Sequence, residues 1–299
     1  MIEFFRDLSH VRDAPHLLTG VLAGLLASVA CGVVGPYVIV RRIVFLAGAI
    51  AHMAVGGVGA AIYLRFAAPE SLGWLRPIHG GMIAAVAAAL LIGTIHHRAS
   101  ERVDTLIGAL WAIGMSVGIL LMKFTPGYES ELMGYLLGSI VYVDWPDVRL
   151  MLALVAAIAG TVLLFHKRFL AICLDEEQCA LQGVPVLGTS LLLLTMVALT
   201  VICLVQVVGL ILVLALLTLP AAAAGQHLAR IGAIVWTSIV LSMLLTTLPR
   251  AAVYGTRISP ESAIVIAAGA VYLASLGARR LRARRGSSGA IASAPDGPA

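Results

Sequence analysis

One histidine of this sequence stands alone in an apolar, glycine-rich run. Residues 41–57 read RRIVFLAGAIAHMAVGG, and His52 follows Arg42 by ten positions. At about 1.5 Å of rise per helical residue, His52 lies on the order of 15 Å from Arg42, near the middle of a ~30 Å hydrocarbon core. Imidazole binds zinc and other late transition metals well. We therefore consider two roles for His52: a ligand or proton site on a transport pathway, or an interhelical hydrogen bond that only packs helices together.

A second segment with candidate chemistry is short and acidic. Residues 174–183 read LDEEQCALQG and lie between two apolar runs. Asp175, Glu176 and Glu177 suit the positive end of a helix macrodipole, and Gly183 suits the C′ position after the last turn. The pattern predicts a short helix between two membrane spans. This helix is either a solvated connector or a docking element for a cytoplasmic partner.

Enzyme motifs are weak in this chain. Gly114-Met-Ser-Val-Gly118 fits the GxSxG pattern, but that pattern requires a strand–turn–helix context, and Ser116 stands inside an apolar run. The sequence contains neither HExxH nor a Walker A motif, so an ATP-driven role needs a separate nucleotide-binding subunit. The spacing of Gly114 and Gly118 also allows two membrane helices to approach closely, which is the simpler interpretation. An intramembrane hydrolase remains the weakest alternative.

The composition places these segments in a membrane. The chain has 299 residues, of which 61% are hydrophobic and 12% charged, whereas soluble domains have about 25% charged residues. The mean hydropathy is +1.02. These values predict an all-α, polytopic integral membrane protein. The formal net charge of +5 is concentrated in arginines near the C-terminus: Arg279, Arg280, Arg282, Arg284 and Arg285. We interpret these arginines as a cytoplasmic positive-inside anchor rather than a nucleic-acid site.

Apolar length and chain breaks predict eight or nine transmembrane helices. The nine apolar runs are 17–40, 43–64, 80–97, 103–124, 148–166, 186–206, 208–224, 231–249 and 260–277. The 208–224 run is short and meets Pro220, which predicts a half-span or a bent helix. The arginine-rich tail places the C-terminus inside and, with nine spans, the N-terminus outside. The predicted organisation is an extracytoplasmic segment 1–16, a transmembrane domain 17–278 and a cytoplasmic tail 279–299 that is basic and then disordered.

Four segments, in order, resemble the permeases of bacterial ABC importers for zinc, manganese and iron, over about residues 17–277. RRIVFLAGAIAH, residues 41–52, is similar to the second-span signature of that family, and DTLIG, residues 104–108, is similar to its DTxIG segment. Residues 174–183 resemble its coupling helix, which sits in a groove of the ATPase subunit. VGLILVLALLTLPAA, residues 208–222, resembles its VGxLLxxALLxxPAA stretch.

The resemblance implies a permease of the ABC importer type that carries divalent metal ions. It implies a dimer, homo- or hetero-, with His52 as a metal contact in the pathway between the two copies. It assigns docking on the ATPase to residues of the coupling helix, namely Asp175, Glu176, Glu177, Ala180 and Gly183. The implied partners are a separate cytoplasmic ATPase, an extracytoplasmic metal-binding protein and membrane lipid, with no nucleic acid. The implied location is the bacterial inner membrane, and the metal is cargo rather than a permanently bound cofactor.

The sequence departs from that family at two acidic positions. The family's second-span aspartate maps to Gly48, so an aspartate–histidine pair that would share one helix face is reduced to His52. A second family aspartate falls near Ile258, where Glu261 is a nearby candidate replacement. A bare dication would meet one imidazole and no carboxylate in the second span, and Gly48→Asp is predicted to raise or retune metal transport. Two alternatives stay open: a secondary, ion-coupled transporter, and a degenerate or non-metal ABC permease.

Overall fold

The computed structural model describes residues 15–98, 103–126 and 143–292 of the chain. All regular structure within these ranges is α-helical. We label the helices in chain order: α1 Pro15–Val40, α2 Val44–Ala67, α3 Pro69–Leu72, α4 Pro77–Arg98, α5 Val103–Lys123, α6 Trp145–Leu174, α7 Glu176–Leu181, α8 Val186–Gly225, α9 Ile231–Val253 and α10 Pro260–Ala292.

Eight segments of these helices are long and apolar enough to cross a membrane, which confirms the predicted polytopic, all-α fold for the described residues. The predicted spans agree with the helices to within a few residues, except at α6 and α10. α6 is predicted at 148–166 but begins earlier, at Trp145, because Asp144 and Asp147 form a capping box there. It also continues to Leu174, directly before α7. The extension beyond residue 166 brings the end of α6 next to α7, and the two helices form one corner.

α8 contains both of the predicted runs 186–206 and 208–224, joined at a break. Gly209 at this break has φ 74° and ψ 169°, a conformation that is open almost only to glycine. The part after the break, Leu212–Gly225, is an apolar helix shorter than a full span. Pro220 lies inside this helix. The predicted short segment is therefore present, but the chain bends at Gly209 instead of at Pro220.

The two parts of α8 run in opposite directions across the bundle. Ser190, near the start of α8, lines a cavity together with Arg41, which follows the end of α1. Ala223, near the end of α8, accepts a hydrogen bond through its carbonyl from the hydroxyl of Ser275 in α10, at 3.1 Å. Because α1 and α10 both begin beside Arg250, α8 starts and finishes at the end of the bundle opposite Arg250. We call this the inner end, since the arginine-rich tail leaves there, and the other the outer end.

Glycines bring α2 into backbone contact with α5. A Cβ placed on Gly56 would lie 2.7 Å from the carbonyl oxygen of Gly114, and a Cβ on Gly59 would lie 2.8 Å from Cα of Gly118. Both separations are too short for a real side chain, so these positions require glycine. The interpretation of Gly114 and Gly118 as a helix-packing pair is therefore confirmed. This close approach decides which residues of α5 meet the side chain of His52.

α10 is helical beyond its predicted span, through Ala292. The sequence predicts residues 279–299 to be basic and then disordered, so the structure differs from that expectation over residues 279–292. Arginine, leucine and alanine favour a helix over residues 279–285, whereas residue propensity does not explain its continuation through GSSG at 286–289. The basic tail therefore extends a helix at the inner end, and the predicted N-terminal segment 1–16 lies almost wholly outside the described residues.

Candidate functional site

His52 is half-buried on α2, and the backbone fixes its ring. Its Nδ1 lies 2.9 Å from the carbonyl oxygen of Gly48, one helical turn earlier. A carbonyl oxygen can only accept, so Nδ1 carries a proton and donates it. In the neutral imidazole, Nε2 then keeps its lone pair. A hydrogen bond from one ring nitrogen to a backbone carbonyl is a common way to orient a histidine whose other nitrogen binds a metal.

Trp111 of α5 covers one face of this imidazole. The two ring centroids lie 4.3 Å apart with the planes tilted by 38°. The indole fills the room that glycine leaves at position 48, since a Cβ on Gly48 would lie 3.1 Å and 3.3 Å from two of its carbons. Gly114 permits the contact, because a Cβ there would lie 2.7 Å from Cα of Met53. Two close approaches of α2 and α5 therefore create this pathway site, which we define as Gly48, His52 and Trp111.

Trp111 is a site residue that the sequence does not reveal by itself. It belongs to a different helix from His52, and no local pattern reports a contact between two helices. One indirect signal exists: Trp111 stands three positions before Gly114, so both residues share one helix face. A search for bulky side chains beside small-xxx-small glycines would have found it.

Two other sequence candidates do not belong to the pathway site. Glu261 is in the first turn of α10 at the outer end, where its charge acts on the buried guanidinium of Arg250. Ser116 lies inside α5, without the strand–turn–helix geometry of a GxSxG nucleophile. Within the described residues, no group of three or more His, Cys, Asp or Glu side chains could hold a metal ion. At the pathway site, the described geometry therefore offers one imidazole ligand, that of His52.

The predicted short acidic helix is α7, and both of its ends are capped. The side chain of Asp175 accepts a hydrogen bond from the backbone N–H of Gln178 at 3.0 Å, as an N-cap residue does. At the other end Gly183 has φ 76°, and the N–H of Val184 donates to the carbonyl oxygen of Cys179 at 3.0 Å. This is the Schellman arrangement. Because both ends are satisfied, α7 is a well-defined corner between α6 and α8 at the inner end.

Glu176 forms an ion pair with Arg41, in the turn between α1 and α2. The Arg41 side chain is 11% exposed and that of Glu176 is 41% exposed. Burial lowers the pKa of the Arg41 guanidinium from its ordinary value, although arginine stays charged at neutral pH. Nη1 of Arg41 is also buried, with no hydrogen-bond partner in the described part of the chain. Arg41 thus depends on Glu176, and the pair ties α7 to the turn from which α2 begins.

The same turn is fixed by its backbone. Arg42 has φ 59°, a left-handed conformation that is unusual for a residue with a side chain. Its N–H donates to the carbonyl oxygen of Ile39, and the N–H of Ile43 donates to that of Val38, each at 3.1 Å. α1 therefore ends with the same capping pattern as α7. The start of α2 is held in place from both sides of the turn.

One face of α7 is exposed and partly apolar. Leu174 is 74% exposed and Leu181 is 89% exposed, and Glu177 and Ala180 are exposed as well. We call these four residues, the last one of α6 and three of α7, the α7 face. Exposed apolar residues that cluster at a helix corner are typical of a contact surface for another protein. The two leucines were not among the predicted coupling residues, whereas Glu176, which was, is engaged within the permease.

A family model for the ABC 3 transport family matches residues 13–279. The chain belongs to the ABC 3 transport family. A "Probable metal transport system membrane protein" of Chlamydia trachomatis is 36% identical to this ABC 3 family chain, over 88% of each chain. The manganese transport system membrane protein MntC of Halalkalibacterium halodurans is 26% identical over 75% of this chain and 73% of its own length.

A solved structure agrees with the family assignment. PsaBC from Streptococcus pneumoniae in complex with Fab contains a chain that matches this one with a TM-score of 0.79 and 25% identity, over 92% of this chain and 95% of that chain. This ABC 3 family chain is therefore a membrane-embedded permease subunit of a metal-type ABC transporter. The family, fold and membrane location expected from the sequence are confirmed. Membership of an ABC family speaks against a secondary, ion-coupled transporter.

Proposed function

We propose that this permease carries a divalent metal ion into the cell within an ATP-driven importer, and that His52 contacts the metal on its way. The observation that carries this assignment is the orientation of the imidazole. Nδ1 is bound to the carbonyl of Gly48, which leaves Nε2 for a ligand about 12 Å along α2 from its inner end. An ionisable residue inside a membrane is costly and usually serves a pathway.

A single imidazole suits transport better than retention. Structural metal sites commonly surround the ion with four protein ligands and hold it tightly. One imidazole can replace one water molecule of a hydrated ion, so the ion is recognised but can leave. In the proposed dimer, each permease copy would contribute its His52 to one shared pathway.

We also infer that the α7 face docks on a separate cytoplasmic ATPase. Leu181 and Leu174 supply the apolar contact, and Glu177 supplies a charge at its edge. A displacement of α7 would reach the pathway by a short route, because Glu176 joins α7 to Arg41 and α2 begins directly after that turn. ATP-driven movement of the ATPase would in this way alternate the permease between outward-open and inward-open states.

Delivery of the metal would take place at the outer end, from an extracytoplasmic metal-binding protein. We assign this delivery to the outer loops 125–131 and 143–147, and most of the first loop lies outside the described residues. In the second, Asp147 pairs with Arg76 at 3.2 Å. This ion pair fixes the segment before α4 against the start of α6, which gives a delivery protein a defined surface.

Uptake by proteoliposomes tests the proposal. Vesicles would contain the permease with its cognate ATPase, and uptake of labelled zinc, manganese and iron would be compared between the wild type, His52→Ala and His97→Ala. His97 is exposed at the inner end of α4 and serves as the matched control. We expect ATP-dependent uptake of one or more metals, lost in His52→Ala and kept in His97→Ala. Undiminished uptake by His52→Ala would make His52 a packing residue.

A further inference from the structure

The residues at the pathway site form a unit rather than a lone ligand. We propose that Trp111 is a positioning and specificity-determining residue, and that together with Gly48 it makes the pathway select late transition dications such as zinc over manganese. This inference rests on the proposed function, in which His52 contacts the metal.

A side chain at position 48 and the indole of Trp111 compete for the same space. A Cβ on Gly48 would already lie 3.1 Å from the indole and 3.4 Å from Cδ1 of Leu214, in the returning part of α8. An aspartate carries three more heavy atoms beyond Cβ. Its side chain could therefore be accommodated only if Trp111 shifted. The tryptophan thus disfavours an acidic ligand at the position one turn before His52.

The same indole restrains the imidazole. The hydrogen bond to Gly48 fixes which nitrogen of His52 is protonated, but it leaves the ring free to rock about that bond. The tilted ring contact with Trp111, at 4.3 Å between centroids, limits that rocking. Nε2 consequently points in one direction. Groups that orient a metal-binding histidine typically change metal affinity by about 10–100-fold when they are removed.

The donor atoms left at the site decide which metals it favours. Imidazole nitrogen suits zinc, copper, nickel and iron, whereas carboxylates, carbonyls and water suit manganese and magnesium. With the indole in place of a carboxylate, the site discriminates through Nε2 of His52. A metal with high affinity for nitrogen gains the most binding free energy from this contact, and manganese gains the least.

The test compares zinc and manganese uptake by proteoliposomes that contain the permease with its cognate ATPase. Trp111→Leu keeps apolar bulk but removes the aromatic face, and we expect the ratio of zinc to manganese uptake to fall by about tenfold. Trp111→Phe keeps an aromatic face and is expected to retain most of the wild-type ratio of zinc to manganese uptake. Trp236→Ala, at a tryptophan of α9 that is 71% exposed, is the matched control and is expected to leave the ratio as in the wild type.

A second pair of variants tests the competition for space. The contact with Trp111 reverses the expectation from the sequence that Gly48→Asp would raise or retune transport: Gly48→Asp alone is expected to lower uptake of both metals, because the carboxylate meets the indole. Gly48→Asp combined with Trp111→Ala makes room for the carboxylate, and manganese uptake is expected to rise relative to zinc by about tenfold over the wild type. Monodispersity on size-exclusion chromatography and thermal unfolding in detergent identify variants that fail to fold. If the double variant fails to fold, the inference is decided by the zinc to manganese ratio of Trp111→Leu compared with that of Trp111→Phe.

The outcomes separate this inference from the proposed function. A wild type that takes up none of zinc, manganese and iron with ATP contradicts the proposed function itself, whereas a wild type that takes up iron or manganese but no zinc overturns the inference alone. A wild type that transports metal, with the zinc to manganese ratio unchanged in Trp111→Leu, overturns only the inference. The inference is also overturned if Trp111→Phe loses the ratio as fully as Trp111→Leu does, because an aromatic face would then not be the property that matters.

Discussion

Polar groups are held differently at the inner corner, formed by α7 and the turn at Arg41, and at the pathway site of this permease. At the corner, Glu176 pairs with Arg41, and Asp175 and Gly183 cap the ends of α7. At the pathway site, His52 has a backbone carbonyl on one nitrogen and an indole across its face, with no carboxylate in either contact. The corner is fixed by charges and caps, and the site by close helix packing.

The difference follows from what each region has to do. A corner that transmits motion must keep its shape while a partner pushes on it, and paired charges and satisfied caps resist deformation. A pathway site must bind a cation and release it, so its contacts must be few and easily exchanged. Helix packing can orient such a ligand without adding another one. Single substitutions can therefore disrupt one region and leave the other intact.

The largest effect is expected where helix packing builds the pathway site. Gly114→Val forces a branched side chain against the backbone of α2 at Met53, and we expect a loss of about 3 kcal/mol in the free energy of unfolding. Gly108→Val is the control on the same helix, since no atom lies within 4 Å of a Cβ there. Unfolding by SDS titration in micelles measures both. Equal stability of the two variants would contradict the observed approach of α2 and α5.

The next effect concerns the ion pair of the corner. Glu176→Ala leaves the buried Arg41 guanidinium without its carboxylate, and we expect a loss of about 2 kcal/mol, less than for a fully buried pair because Glu176 is 41% exposed. Metal transported per ATP hydrolysed should fall as well. Glu177→Ala, at an exposed neighbour, should change stability by less than about 0.5 kcal/mol.

A charge reversal sharpens the same prediction. Arg41→Glu combined with Glu176→Arg exchanges the two charges, and it should recover part of the stability and of the coupling that Glu176→Ala loses. If the double reversal is as impaired as the single variant, the two residues do not act as a pair. If Glu177→Ala is equally impaired, the negative charge of α7 matters as a whole.

A smaller effect is expected on the α7 face. Leu181→Asp places a charge in the proposed contact with the ATPase and should weaken co-purification about tenfold, equivalent to ~1.4 kcal/mol. Leu281→Asp is the control, because Leu281 is also exposed, at 61%, on the helix that leaves the inner end. Retention of the ATPase by Leu181→Asp at the wild-type level would remove the docking assignment.

The smallest effect concerns the cap of α7. Gly183 has φ 76°, so Gly183→Ala places a Cβ in the left-handed region and should cost about 1 kcal/mol of stability. Gly188→Ala is the control: Gly188 has open space around it and lies in the first turns of α8. That change should be neutral or slightly stabilising. A reversed order of the two variants in thermal unfolding would contradict the capping geometry.

Local features of this chain were predictable from its sequence, whereas contacts between distant elements were not. Apolar length predicted the spans, and residue types predicted the start of α7 at its acidic residues and its end at Gly183. The pair of Arg41 and Glu176 joins residues 135 positions apart. Such contacts leave no periodic signal, because they depend on how several helices pack at once. Trp111 was missed for the same reason.

The glycines show most clearly what the sequence leaves undetermined. The chain contains 30 glycines, and their abundance predicted close helix packing without saying which of them break a helix. Gly209 sits in an apolar run like many others, yet it alone interrupts α8 within the described residues. Whether a glycine in a membrane helix packs or bends is decided by its neighbours in space. The sequence divides the two apolar runs at position 207, beside Gly209, but the stronger local signal is Pro220, which predicted a half-span or a bent helix for 208–224.

The most direct test of the account measures zinc uptake and ATP hydrolysis together, in the same proteoliposomes, for the wild type and His52→Ala. The inner corner is untouched by this substitution, so ATP hydrolysis by the complex should continue. Zinc transported per ATP should fall by about tenfold or more, because the pathway loses its nitrogen ligand. An unchanged ratio of zinc to ATP in His52→Ala would contradict the claim that the metal passes by this histidine.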